Sequence, residues 1–453
     1  MLDHLDKSGG KSLYEQLYED IRDDILCGRL TCGEKLPSKR AVAERLRISV
    51  ITVENAYAQL IAEGYVRTRE RSGYFVQYSG GALPPAPKIR EEKIAPPSEE
   101  PPSPASDAAD TAAFPFTVWA RLMRCVLLEK GTTLLKPVCN GGAEELRRAI
   151  SDYLYRVRGF YVPYERIIIG AGTEYLYNLL IQLLGREQVY GIENPGYEKL
   201  PKIYALNGVR FEHIPLDEDG IIPAELERRG VTAAHISPAH HYPTGIVMPI
   251  SRRREIMDWV MREQGRYVIE DDYDSELRWS GKPVPTMFGM DTSGRVIYIN
   301  TFSQTIAPSV RISYMCLPQG LYELWNERLG FYSCPVPVFE QYTLARFISG
   351  GYFERHINRA KKRFRRIREL VLSLMGQLDG VVVSEENAGL HFTATLGKSA
   401  AETLEICREC GLRITPLSDY YTPPERCAEN KYVINYAAAD EEKCRAALSE
   451  RGQ

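Results

Sequence analysis

The stretch Thr301-Phe302-Ser303-Gln304-Thr305-Ile306-Ala307-Pro308-Ser309-Val310-Arg311 decides how the rest of this 453-residue chain is read. Strand-like apolar runs, Val296–Ile299 and Ile312–Leu317, flank it and leave its polar members on a short loop. The hydroxyls of Thr301 and Ser303 and the guanidinium of Arg311 form a set suited to a phosphate, hydroxyl donors beside a bidentate cation.

Upstream the pattern is that of an α/β domain, with helices and strands alternating from Phe116 onward. Trp119, Leu122 and Met123 open one helix, and Leu146, Ile150, Tyr153 and Leu154 keep helical spacing in another. Ile167-Ile168-Ile169 is a short buried strand running into Gly170-Ala171-Gly172-Thr173-Glu174 and an apolar helix, Tyr175–Leu184. Strand, glycine turn and helix N-terminus together offer free N–H groups and a favourable dipole to an anion. Arg266-Tyr-Val-Ile-Glu270 reads as a further strand, with Asp271-Asp272-Tyr273 at its end. A carboxylate there can pair with a protonated pyridine nitrogen.

The loop at 301–311 resembles the signature around the cofactor lysine of type I pyridoxal 5'-phosphate (PLP) aminotransferases, nearest in its MocR-type form. Other motifs stand in the same order. Asn194-Pro195-Gly196-Tyr197 resembles the family's Pro-Gly-Tyr, whose ring stacks on the pyridine. Ser237 through Gly245 resembles its Ser-His-Gln-Phe-Pro-Thr-Gly, with His241 where glutamine is usual. The resemblance implies that Asp271 meets the ring nitrogen, 33 residues ahead of position 304, and that Tyr273 lies near the ring oxygen. It implies a cofactor set of Gly172, Thr173, Glu174, Tyr197, Asp271, Tyr273, Thr301, Ser303, Gln304 and Arg311. In that family the residue between Ser303 and Thr305 is the lysine that carries the cofactor. Here it is Gln304.

A carboxamide nitrogen is delocalised into its carbonyl and does not attack an aldehyde as an amine does. Covalent PLP and transamination are therefore not expected, and no catalytic residue is assigned. PLP is expected to bind free, or as an external aldimine made in solution. The change at 304 fits a lineage that abandoned covalent PLP and fits a deliberate Lys→Gln replacement equally.

The N-terminal part has another character. Leu13, Leu17, Ile21 and Ile25 recur every four residues; Cys32 through Pro37 reads as a loop; Ser38 and Ser49 can cap two further helices. Two short strands, Tyr65–Arg69 and Gly73–Val76, follow. Residues 1–34 carry four Lys/Arg against eight Asp/Glu, whereas 35–71 carry eight against four. The basic excess falls where a winged helix-turn-helix meets phosphates. Leu36-Pro37-Ser38-Lys39-Arg40, Thr52 through Tyr57, Glu63-Gly64-Tyr65 and Ser72 through Val76 resemble the GntR-type DNA-binding domain. Where that family has Ser-Arg, this chain has Ser49-Val50, and valine reaches at most a thymine methyl. Lys39, Arg40, Ser49, Thr52, Arg69 and Arg71 are the expected DNA-facing residues.

The expected organisation is a winged helix-turn-helix at 1–76, a Pro-rich linker at 77–115 and a type I PLP-transferase fold at 116–453. The last part closes in a small C-terminal α/β subdomain. The basic run Arg359–Arg368 reads as a solvated or domain-facing helix. Arg413 and Arg426 are candidates for a substrate carboxylate. A formal net charge of -3 gives no global sign of a nucleic-acid partner. The ten cysteines are scattered, and Cys407 and Cys410 read as ordinary thiols rather than metal ligands. The acidic N-terminus and the lack of an apolar run near the ~20 residues of a membrane span point to a soluble, cytoplasmic chain. As a whole it resembles a MocR-type regulator. That implies operator DNA, an amino-compound effector and a head-to-tail homodimer as partners. The rivals are a PLP aminotransferase with an accessory DNA domain, a GntR-type regulator of a ligand other than PLP, and a scaffold with a dead pocket.

Overall fold

Periodic apolar residues build the first of two units. A computed structural model describes residues 5, 10–70, 72–78, 114–279, 284–384, 389–397, 400–423 and 430–451. The chain forms two compact units, one up to residue 98 and one from 99 onward. The linker expected at 77–115 falls almost wholly outside the described residues, as do Arg71 and Arg426.

In the first unit, helices span Leu13–Leu26, Lys39–Leu46 and Val50–Ala62. Leu17, Ile21, Val42, Val53 and Leu60 are wholly buried in their shared core. Ser38 and Ser49 cap the second and third helices by accepting from the N–H groups of Ala41 and Thr52. Arg47 ends the second helix at φ 54°, the left-handed residue that turns the chain toward the third. Strands Val66–Arg69 and Gly73–Val76 pair antiparallel as expected. Lys35–Leu36, read from sequence as loop, pairs with the other edge of Gly73–Val76 and makes the ribbon three-stranded. Two residues are too few for a periodic signal, so only the partner strand reveals this one.

The second unit is built on an eight-stranded mixed sheet. Its order is Ile167–Gly170, Ser313–Cys316, Val296–Thr301, Tyr267–Asp271, Ala233–Ile236, Val189–Asn194, Arg210–Asp217 and Gly220–Ile221. The five strands from Val296–Thr301 to Arg210–Asp217 run parallel. Side chains alternate between its faces: Tyr298 joins the core of helices Glu144–Tyr153 and Val338–Ser349, whereas Ile297 and Ile299 join that of Thr173–Leu184 and Gln319–Leu329. Both faces are covered, which accounts for the unbroken apolar runs. The parallel strands end together at Asn194, Ile236, Asp271 and Thr301, the edge where open α/β sheets bind ligands.

A smaller antiparallel sheet follows, ordered Val382–Ser384, His391–Thr395, Lys431–Asn435 and Arg413–Pro416. It packs with helices Tyr352–Gly376 and Ala400–Glu409. The basic run lies on the first of these, where Arg366 pairs with Glu441 at 2.6 Å and Arg365 donates to the Trp279 carbonyl. Gly389, at φ +64°, ties this subdomain to the larger part. A Cβ there would lie 1.9 Å from His240 Cε1. Cys407 and Cys410 are buried, and burial pushes the Cys407 thiol up to about 12. Among the described residues no cluster of metal-binding side chains occurs, and no helix is long and apolar enough to cross a membrane.

Candidate functional site

Each strand end contributes one side chain to a cavity lined by Thr173, Tyr177, Tyr197, Leu200, Ser237, Tyr242, Asp271, Tyr273, Thr301 and Gln304. Asp271 lies at its centre, 7% exposed. Its Oδ2 accepts from the Tyr177 hydroxyl and lies 3.7 Å from His235 Nε2. His235 Nδ1 in turn meets the Tyr204 hydroxyl at 2.8 Å. The other oxygen, Asp271 Oδ1, is buried without a hydrogen-bond partner. A buried acceptor left open in this way costs free energy unless a donor arrives.

On one side of Asp271 the Thr301 hydroxyl accepts from the Ser303 N–H and the Ser313 hydroxyl, at 3.2 and 2.9 Å. Ser303 donates its own hydroxyl to the Val310 carbonyl at 2.6 Å, which pins the loop that carries Gln304. Arg311 is half exposed and donates to Glu174 Oε2 at 2.6 Å; Lys199 reaches the other oxygen of Glu174 at 3.2 Å. Burial would raise the Glu174 carboxyl, but its own N–H and the two cations hold it below the ordinary value. Gly172, at φ +93°, admits Arg311: a Cβ there would lie 2.3 Å from its Nη2.

Thus Thr173, Tyr197, Asp271, Tyr273, Thr301 and Gln304 line the cavity, Gly172, Glu174 and Arg311 form a cluster beside it, and Ser303 is bonded instead to Thr301 and the Val310 carbonyl. The Tyr273 hydroxyl also lies 3.2 Å from His240 Nδ1, the same nitrogen that pairs with Asp274 at 2.9 Å. Sequence reasoning missed Tyr177, Leu200 and His235, and it placed Ser237 and Tyr242 in a family motif without giving either a role. Tyr177 stands one helical turn after Thr173 and was legible from that spacing. His235 was not, since only strand pairing sets it beside Asp271.

His241 is buried. Its Nδ1 meets the Thr244 hydroxyl at 2.7 Å and its Nε2 lies 3.5 Å from Glu193 Oε2. Burial, aided by His240, takes its pKa down to about 3, while burial takes the Glu193 carboxyl up to about 8.

The residues fit PLP held without a covalent bond. An open carboxylate oxygen suits a ring nitrogen, and hydroxyls, a helix N-terminus and Arg311 suit a phosphate. The fit stops at the amine: no lysine is among the described residues that line the cavity.

In the N-terminal unit Arg40 is exposed on the second helix. Lys39 is tied to Glu54 at 2.5 Å, and that bond raises its pKa. The Arg69 guanidinium lies 4.8 Å over the Phe75 ring. The Ser49 hydroxyl caps its helix and meets the Thr52 hydroxyl at 2.8 Å. Val50 and Ile51 beside it are 42% and 69% exposed.

A winged helix-turn-helix joined to an aminotransferase-type fold defines a class of DNA-binding regulators. Residues 13–76 match the family described as bacterial regulatory proteins, gntR family, and residues 108–450 match aminotransferase class I and II. The chain belongs to the GntR family in its MocR form, helix-turn-helix regulators with an aminotransferase-like domain. It is 36% identical to the HTH-type transcriptional regulator YdeL of Bacillus subtilis, over 91% of each chain. It is 31% identical to the pyridoxine biosynthesis regulator PdxR of Corynebacterium glutamicum, over 97% of this chain and 95% of that one. The crystal structure of Pyrococcus horikoshii kynurenine aminotransferase shares the fold at TM-score 0.64 and 24% identity, covering 75% of this chain and 86% of that one.

Proposed function

We propose that this chain is a transcription regulator whose aminotransferase-like domain holds PLP without a covalent bond and responds to an amino compound, without turning it over. The observation that carries the reading is the cavity built around Asp271 with Gln304, and no lysine, among its described lining residues. The domains we propose are a DNA-binding unit at 1–76, a linker at 77–115 and an effector and dimerisation unit at 116–453. The assembly we propose is a head-to-tail homodimer in the cytoplasm.

When bound, PLP supplies an aldehyde carbon and an electron-withdrawing ring. The chain's own residues do the rest. Asp271 Oδ1 would meet the ring nitrogen, while Tyr177 and His235 orient the carboxylate from its other oxygen. Tyr197 would cover one ring face and Tyr273 would reach the ring oxygen. Thr173, Thr301, Ser303 and Arg311 would hold the phosphate once Arg311 is released from Glu174. Gln304 can donate and accept hydrogen bonds but neither attacks a carbonyl carbon nor moves a proton as a base. Turnover as a transaminase is therefore negligible in this reading. The name of PdxR, a regulator of pyridoxine biosynthesis, supports a B6 vitamer as a ligand of this pocket.

On the DNA side, Arg40, Arg69 and Arg71 are proposed as phosphate contacts, with Lys39 and Thr52 in support. Ser49 is proposed to hold the recognition helix in register through its cap.

The test is a PLP titration of the purified chain, followed by visible absorbance and by mass after borohydride reduction. Saturable absorbance without a reduced adduct supports the proposal. A lysine adduct returns the enzyme reading, and no binding at all leaves a regulator of some other ligand.

A further inference from the structure

Beside the cofactor cavity, and sharing Tyr197, Leu200, Ser237 and Tyr242 with it, lies a larger cleft of about 300 Å³. Its walls hold three tyrosine rings and the carboxyl groups of Glu193, Glu198 and Asp419. We infer that this cleft receives an organic cation, and that the effector is of the aliphatic diamine class rather than an amino acid gripped by its carboxylate. Naming that ligand as the effector rests on the regulator reading above.

The floor of the cleft carries the first argument. Glu193 is the penultimate residue of the strand Val189–Asn194 and is 8% exposed. Its Oε2 accepts from the Ser237 N–H at 2.9 Å, whereas Oε1 accepts no hydrogen bond. A carboxyl nine-tenths buried at the base of a cleft, with one oxygen open, is matched by a cationic N–H donor.

The rings carry the second. Tyr242 and Tyr420 meet edge to face at 88°, and their hydroxyls bond at 2.8 Å, so each holds the other in place. With Tyr197 they wall the cleft with aromatic groups, the surfaces that favour an ammonium through the ring quadrupole.

Charge carries the third. The carboxylates of Glu198 and Asp419 stand against one ammonium, that of the exposed Lys202, and Glu193 adds a third negative charge once it ionises; His213 is the remaining titratable group that is not a phenol. Among the described residues no arginine lines either the cleft or the cofactor cavity. Arg413 lies outside both linings, behind the wall formed by Tyr242 and Tyr420, whose phenols feel its charge.

Glu193 then links binding to protons. It faces His241 Nε2 at 3.5 Å and feels the like charge of Asp271. Burial, its main cause, raises its pKa to about 8, so the empty cleft holds it protonated near neutral pH. A cation favours the ionised form, so its binding releases a proton and strengthens as pH rises from about 6 to about 8.

The experiment is calorimetric titration of the full-length chain, with and without saturating PLP. The probes are 1,4-diaminobutane and 4-aminobutanoate, which differ in the group at one end. The diamine is expected to bind about tenfold more tightly, the scale of one well-placed ion pair. Glu193→Gln is expected to remove that preference. Asp419→Asn, at an exposed rim position, is expected to weaken the diamine severalfold and keeps the test alive if the buried variant fails to fold. Equal affinity for the two probes, no heat with either, or diamine binding indifferent to the substitutions overturns the inference. PLP absorbance is read separately: saturation alongside a failed diamine test leaves the cofactor reading standing. Absent PLP binding with carboxyl-dependent diamine binding overturns that reading and supports the cleft.

Discussion

The guanidinium of Arg311 is held by the carboxylate of Glu174, 2.6 Å away and 137 residues earlier in the chain. The cation best placed for a phosphate is thus already engaged. A phosphate that enters must displace a carboxylate rather than fill an open fork. The pair is partly solvated, with side chains 52% and 31% exposed, so the cost of displacing it is modest.

Glu174→Gln is therefore expected to tighten PLP binding by about threefold to tenfold, and Arg311→Ala to weaken it. An exposed pair is worth up to about 1 kcal/mol, and the lost like charge adds to the gain. Dissociation constants from absorbance titrations check both; weaker binding in Glu174→Gln sinks the displacement argument.

Gln304→Lys places an amine in the cavity lining, at the position proposed to correspond to the cofactor lysine. After PLP and borohydride the variant is expected to gain one reduced adduct by mass, mapped to the peptide around residue 304, while the unaltered chain gains none. An adduct on the unaltered chain would falsify the non-covalent reading.

On the DNA surface, Arg40 and Lys39 are neighbours with different local partners. Lys39 already answers Glu54, so part of its charge is spent within the domain. Arg40→Ala is expected to lower the slope of log K against log salt by about one, and Lys39→Ala by less. A salt series of gel shifts on the chain's own promoter fragment decides the order of the two.

Buried His241 makes stability depend on acid. Its folded pKa, about 3, lies below its ordinary 6.5, so the unfolded chain binds the extra proton between those values. Stability is lost as pH falls through that window. Glu193 acts with the opposite sign: its folded pKa, about 8, exceeds its ordinary 4.5, and stability is lost as pH rises from about 4.5 to about 8. His241→Gln is expected to flatten the acid side alone, measured as urea midpoints from pH 4 to 7.

Arg158 and Asp272 form an ion pair at 2.6 Å with side chains 4% and 0% exposed, and Tyr298 donates to the same oxygen at 2.5 Å. Arg158→Met leaves a buried carboxylate without its cation, at a cost of about 3–5 kcal/mol. Arg158→Met with Asp272→Leu is expected to recover much of that, because the stranded charge is gone. Urea unfolding of the single and double variants tests it.

Local rules made much of the molecule legible in sequence. Spacing and serine caps placed the three N-terminal helices, because a helix is settled by residues three and four apart. Glycine after a buried strand placed the turn at Gly172 before its helix, and the glutamine at 304 was legible without any coordinates. The strand Lys35–Leu36, the Tyr177–Asp271 and His235–Asp271 contacts, the capture of Arg311 by Glu174 and the open oxygen of Glu193 were beyond it. Each joins residues set far apart along the chain, and nothing in a local pattern says which strand ends will share one edge of a sheet. The sequence alone determined the elements and the glutamine at position 304. Tertiary structure decided which charges already have partners and which are left for a ligand, because that depends on distances only the packed sheet and helices set.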